Sequence, residues 1–195
     1  MSPKFMNQRP IKRPLRILMV TGIYPTEKNP HSGTFIKTQV DSLISAGIEV
    51  EVICPRPGPV PLRYTSAAIQ VFLKTLTQRF DIVHGHYGQW CLLARLQWTT
   101  PVVASFLGSD LLGAVTLDGQ VTQKGAFVRH ISRWLCQYVD AVTVKTDEMK
   151  RATGSSHAIV YPDGIGRSKL RIPAAGGGTA RNMNTLAKLA AMTVG

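Results

Sequence analysis

From Leu15 onward, short runs rich in Val and Ile alternate with segments whose apolar residues recur at helical spacing, and this rhythm constrains the chain more than any other feature. A parallel sheet flanked by helices accommodates it, because crossover helices bury both faces of the strands and leave them continuously apolar. The runs predict strands at Arg16 to Thr21, Glu49 to Cys54, Asp81 to His84, Pro101 to Phe106, Ala141 to Lys145 and Ala158 to Val160. Between them, Ile36, Val40, Leu43 and Ile44 line one helical face, with Gly47 placed to end that helix. Ile69, Phe72, Leu73 and Leu76 repeat the spacing, as do Phe127, Ile131, Trp134, Leu135 and Tyr138. Each set is expected to pack on the sheet, with Trp134 in the core. The fold class is therefore α/β, a single doubly wound, Rossmann-like parallel sheet.

At 195 residues and 44% hydrophobic composition, the chain can bury one sizeable core but not two ordinary domains with a linker. The rhythm divides it into a basic leader (1–14), a body (15–165) and an irregular tail (166–195) containing Gly176, Gly177 and Gly178. No strand precedes these glycines and no Lys-Ser or Lys-Thr pair follows, so they do not make a phosphate loop.

Charge follows the same division. Lys and Arg outnumber Asp and Glu by 23 to 11, but five bases lie in Met1 to Arg16 and five after Ile165, leaving thirteen against eleven in between. A nearly neutral body with basic ends, and no interleaved stacking aromatics, excludes a nucleic-acid binder. Cys54, Cys91 and Cys136 are widely spaced among apolar neighbours, which indicates neither a disulfide framework nor a metal site, and fits a cytoplasmic compartment. No apolar run approaches the ~20 residues of a membrane span.

In an open parallel sheet, ligands bind beyond the carboxyl ends of the strands, which directs attention to the segments following them. After the first strand, Gly33 stands before a helix; it either lets backbone amides approach a diphosphate or sugar, or simply serves the turn. The chain has neither a Gly-x-Gly-x-x-Gly fingerprint nor a P-loop, which excludes the usual dehydrogenases and ATPases. His84 and His86 follow the third strand and point to one side by alternation; either one hydrogen-bonds a substrate hydroxyl while the other caps the sheet edge, or both are purely structural, or they belong to a metal site whose further ligands the sequence does not place. Gly108, Ser109 and Asp110 follow the fourth strand, with Asp110 either orienting a sugar hydroxyl or capping the next helix. Thr146 or Asp147 caps the helix after the fifth.

Taken in order, these motifs resemble the N-terminal domain of glycosyltransferase family 4, which has the GT-B fold, over about Leu15 to Ile165. The matching phrases are Tyr24-Pro25 with Gly33, Ala46-Gly47-Ile48-Glu49-Val50, and Phe80-Asp81-Ile82-Val83-His84-Gly85-His86. Three more follow: Val102 to Asp110, Val142 to Met149, and Tyr161-Pro162-Asp163-Gly164-Ile165. One departure stands out, since Leu107 replaces a loop histidine placed near the donor sugar in the family.

The resemblance implies retaining transfer from a nucleoside diphosphate sugar to a glycan or lipid-linked acceptor, without a cofactor or metal. It implies peripheral contact with the inner face of a membrane as a further partner. Asp110 and His86 become the catalytic candidates, and Gly33, His84, Gly108 and Ser109 the substrate-binding ones. In the family a donor-binding domain follows the Pro-Asn-Gly phrase, and residues 166–195 are too few to form it. The chain alone is accordingly expected to be an inactive, acceptor-side half with an aberrant tail, a non-catalytic binding subunit whose donor domain is a separate chain, or a truncated remnant.

Overall fold

A computed structural model describes residues 13–161. The expected leader and tail, and the phrase from Pro162 to Ile165, lie largely or wholly outside the described residues. Six parallel strands form one sheet: β1 (Arg16–Val20), β2 (Glu49–Ile53), β3 (Ile82–His86), β4 (Val102–Ser105), β5 (Ala141–Val144) and β6 (Ala158–Val160), ordered β2-β1-β3-β4-β5-β6. The helices are α1 (Thr34–Ser45), α2 (Val60–Thr77), α3 (Gly88–Ala94), α4 (Ser109–Leu112), α5 (Gln123–Leu135) and α6 (Asp147–Thr153). This is the Rossmann-like α/β architecture read from the strand-helix rhythm.

Strand order fixes which face each helix covers. The β1 to β2 connection runs one way along the sheet and every later one runs the other, so crossovers of one hand put α1 on one face and the rest on the opposite face. Packing agrees. Ile36, Val40 and Leu43 of α1 meet Ile17, Met19 and Ile82. Ala67 and Val71 of α2 and Trp90 and Leu93 of α3 meet Leu18, Val20 and Val83 on the other side. Leu135 of α5 and Met149 of α6 extend that second layer over Ala104, Val142 and Val144. Among the described residues, α1 is the only helix on its face.

Local chemistry accounts for the ends of these elements. Helix α1 stops at Gly47, whose φ of 82° suits glycine. The amides of Gly47 and Ile48 bond back to Ile44 and Leu43, giving the Schellman pattern that satisfies the last carbonyls. Thr122 caps α5 and Thr146 caps α6, each hydroxyl accepting an amide three residues on, from Gly125 and Met149. Asp81 accepts bonds from the Arg16 amide and the Arg13 guanidinium, and Asp140 from the Val102 amide, so both clamp the amino ends of strands.

Three expectations need correction. Strand β3 runs to His86, so both histidines lie within it rather than after it. Ile69, Phe72, Leu73 and Leu76 point outward; Ala67, Val71 and Thr75 face the sheet, because small side chains let α2 approach closely. Likewise Trp134 is half exposed, as are Phe127 and Tyr138, while Gly125, Ser132 and Leu135 form the inner side of α5. Ile44 of α1 is also exposed. In α2 and α5 the helical periods hold and the inner side is what differs, with Leu135 alone of the expected α5 set fully buried; in α1 the expected side holds and only Ile44 falls outside it.

Candidate functional site

The sheet reverses its direction of travel between β1 and β3, where the chain leaves toward opposite faces and opens a crevice at the carboxyl ends. Two residues apart on β3, His84 and His86 project to the α1 side, their ring centres 4.4 Å apart. Each is 1% exposed. His84 Nε2 lies 2.7 Å from Ser105 Oγ, which lies 2.5 Å from Thr143 Oγ1, so a polar chain crosses β3, β4 and β5. His86 differs, since neither of its buried ring nitrogens has a hydrogen-bond partner among the described residues.

Burial keeps both rings uncharged. Desolvation, with a smaller push from the positive charge of Lys145, lowers the His84 pKa from 6.5 to about 3. Desolvation, then His84 and Lys145, hold His86 well below its ordinary value. A neutral imidazole offers one N–H donor and one nitrogen acceptor. With so low a pKa, His86 is suited to hydrogen bonding rather than to accepting a proton near neutrality.

Asp110 occupies the neighbouring loop in a different way. Its carboxylate accepts the amides of Gly108 (2.9 Å), Leu107 (3.1 Å) and Gly88 (3.1 Å), so one fully buried side chain ties the β4–α4 loop to the start of α3. Burial raises its pKa while those amides pull it down. These contacts make it a loop-holding group with its oxygens turned toward backbone. Gly108 has φ 141°, a conformation that side-chain-bearing residues rarely adopt, and it allows the loop to fold back over the carboxylate. Exposed Ser109 meets Tyr87, hydroxyl to hydroxyl, at 3.2 Å.

Gly33 sits at the N-cap of α1 with φ 66°, and a Cβ there would come within 2.7 Å of the Ile23 carbonyl oxygen. The turn alone therefore demands glycine. Thus the structure joins His84 with His86, and Asp110 with Gly108, while Gly33 packs on the β1–α1 loop. Sequence reasoning missed the Ser105 and Thr143 hydroxyls, which require the strand order to be known. It also missed Tyr87, whose φ of 73° is a strained value for a residue other than glycine at the mouth of the crevice. No group of three or more metal-ligating side chains occurs among the described residues.

Comparison with known proteins bears on this geometry. A family model for the glycosyl transferase 4-like domain matches residues 45–158, more than half of the chain. The match takes in β3 with its histidines and the Asp110 loop. A Bacillus subtilis (strain 168) protein, named as a putative teichuronic acid biosynthesis glycosyltransferase, TuaC, is 35% identical over 65 residues. That stretch is 33% of this chain and 15% of the relative, so only a small part of the longer protein is matched. With a six-stranded parallel sheet, a crevice at its point of reversal and a family match that runs from the end of α1 through β5, the chain belongs to the glycosyl transferase 4-like family.

Proposed function

We propose that residues 13–161 form the acceptor side of a two-domain, retaining GT-B transferase that moves a sugar from a nucleoside diphosphate sugar to a hydroxyl of a glycan or lipid-linked acceptor. The observation that carries this reading, beyond family membership, is His86: a neutral, buried imidazole at the carboxyl end of β3 whose donor and acceptor are both unpaired. A buried polar group without a partner costs about 1–3 kcal/mol, which a hydroxyl seated against it offsets.

His84, held by the Ser105 hydroxyl that Thr143 holds in turn, positions its neighbour; Asp110 holds the two loops that frame the entrance. The His86 ring is covered, so contact with an acceptor requires the groups over it to part. The Leu107 side chain supplies no hydrogen bond, which leaves His86, Tyr87 and Ser109 to meet sugar hydroxyls. Charge on the departing diphosphate is stabilised by a donor-binding domain, so the 13–161 domain alone does not turn over. Neither metal nor cofactor takes part. Nucleotide sugars as donors are cytoplasmic substrates, and the teichuronic acid biosynthesis in TuaC's name supports polysaccharide biosynthesis as the setting.

Calorimetric titration of the purified chain with UDP-, GDP- and ADP-sugars tests the division of labour. A folded sample that gives no heat, yet shifts its His86 ring resonances when acceptor glycans are added, is the expected result. Micromolar heat with a nucleotide sugar would put the donor site in this domain and overturn the assignment.

A further inference from the structure

Past Thr143, the histidine side of the sheet runs on to a cation. Ala141 belongs to the core that α1 covers, Thr143 meets Ser105 on that same side, and Val142 and Val144 face the helical layer opposite. Lys145 is the next residue after β5, so alternation returns its side chain to the side of the histidines. Its neighbour on the adjoining strand agrees. The Tyr161 amide donates to the Val144 carbonyl at 2.6 Å, Tyr161 packs against the α1-side core, and the Lys145 ammonium lies 5.9 Å from the centre of the Tyr161 ring.

Strand register brings this charge to the histidine end of the crevice. His86 stands opposite Ser105 across β3 and β4, and Ser105 opposite Thr143 across β4 and β5, so Lys145 lies one pleat beyond the row that holds His86. Its charge reaches both rings, since it adds to the burial that lowers the His84 and His86 pKa values. The carboxyl end of the sheet therefore sets a half-buried cation near a fully buried imidazole whose two nitrogens have no hydrogen-bond partner among the described residues. Asp110, the buried acid at this end, turns its oxygens to the amides of Gly88, Leu107 and Gly108. A neutral hydroxyl would answer the imidazole alone. An oxyanion answers the imidazole N–H and the ammonium together, and bonds to a charged group are roughly twice as strong as neutral ones. The four-carbon stem of lysine lets the ammonium follow such a group into place.

We infer that Lys145 and His86 form a subsite for an oxyanion, a carboxylate or a phosphate, borne by the acceptor sugar. The ammonium meets the charge, and a His86 N–H donates to the same group. The acceptor is thus an acidic glycan rather than a neutral one, a conclusion that rests on the acceptor-side reading of the crevice and narrows it.

The full chain is titrated with methyl glucoside, methyl glucuronide and glucose monophosphate, and affinity is read from the His86 ring resonances. One or both acidic sugars should bind about tenfold or more tighter than the glucoside, less so as salt is raised, and the carboxylate and phosphate arms tell which oxyanion the subsite takes. K145M should bring the acidic sugars down to the affinity of the glucoside, and K145R should keep the preference, with far-UV circular dichroism and the melting curve confirming that both variants fold. Equal affinity for all three sugars in the unsubstituted chain, or a preference that survives K145M, would overturn the inference and leave the acceptor-side reading standing. If none of the three moves the His86 ring resonances, both fall together.

Discussion

Two neutral histidines in the core make the fold acid-labile well above the range where carboxylates titrate. In the unfolded chain each takes up a proton near its ordinary pKa of 6.5; in the folded chain burial holds His84 down to about 3 and His86 well below 6.5. A depressed folded pKa means stability that is present above about pH 6.5 and is lost as pH falls toward the folded value. One such group changes the unfolding free energy by about 1.4 kcal/mol per pH unit once the unfolded form is protonated, so two approach about 2.7. Between about pH 7 and pH 5 a ring held near 3, as His84 is, removes roughly 2 kcal/mol, and His86 adds to that in the same direction, a large share of the roughly 5–15 kcal/mol that holds a domain of this size together.

Urea unfolding followed by circular dichroism across that interval gives the slope directly. Asp110 works in the opposite sense, because burial raises its pKa and protonation on acidification then favours the folded state. The informative quantity is therefore the difference between the chain and His86→Phe, in which one titrating ring is replaced by an apolar ring of similar size. His86→Phe should halve the slope, and should not lower stability at neutral pH, since the nitrogens it removes have no partners. A slope below about 1 kcal/mol per pH unit, or an unchanged slope in His86→Phe, would refute the claim that these rings are buried and uncharged.

Two other consequences are open to direct measurement. Asp110→Asn turns an NH₂ group toward at least one of the amides of Gly88, Leu107 and Gly108, and should cost about 2–4 kcal/mol by urea unfolding; an unchanged midpoint would mean that the carboxylate does not hold the loops. Burial pushes the Cys136 thiol up to about 12 and Cys91 well above its ordinary value, so a thiol-specific disulfide reagent should modify half-buried Cys54 alone in the native chain and all three cysteines in denaturant.

The sheet was legible because β-branched runs such as Ile82-Val83 and Val102-Val103 have one use in a chain of this rhythm, and each lies within a strand near the expected bounds. The α1 stop at Gly47 and the Thr146 cap were legible because each depends on local chemistry alone. The inner sides of α2 and α5 were not. Periodicity reports that apolar residues share a side, and both helices carry apolar residues outward and small ones inward, so the bulkier stripe pointed the wrong way. The pairing of His84 and His86 on one side followed from alternation. The polar chain from His84 did not, because Ser105 and Thr143 join it only through the order β3-β4-β5, which no local pattern encodes.

That strand order also explains how one set of strands combines a polar chain with a dry core. On the side facing α3, α5 and α6, strands β3 to β5 present Val83, Gly85, Ala104, Val142 and Val144, small or branched residues suited to close helix packing. On the α1 side the same strands present His84, His86, Ser105 and Thr143. With four of the five connections running the same way, the described helices gather on the apolar side, and α1 is left over the β1 end of the other. Substitutions on the helical side should therefore register mainly as stability, as with any core truncation. On the α1 side, loss of His86 removes no existing bond, so an effect there on acceptor binding without an effect on folding is what separates recognition from scaffolding.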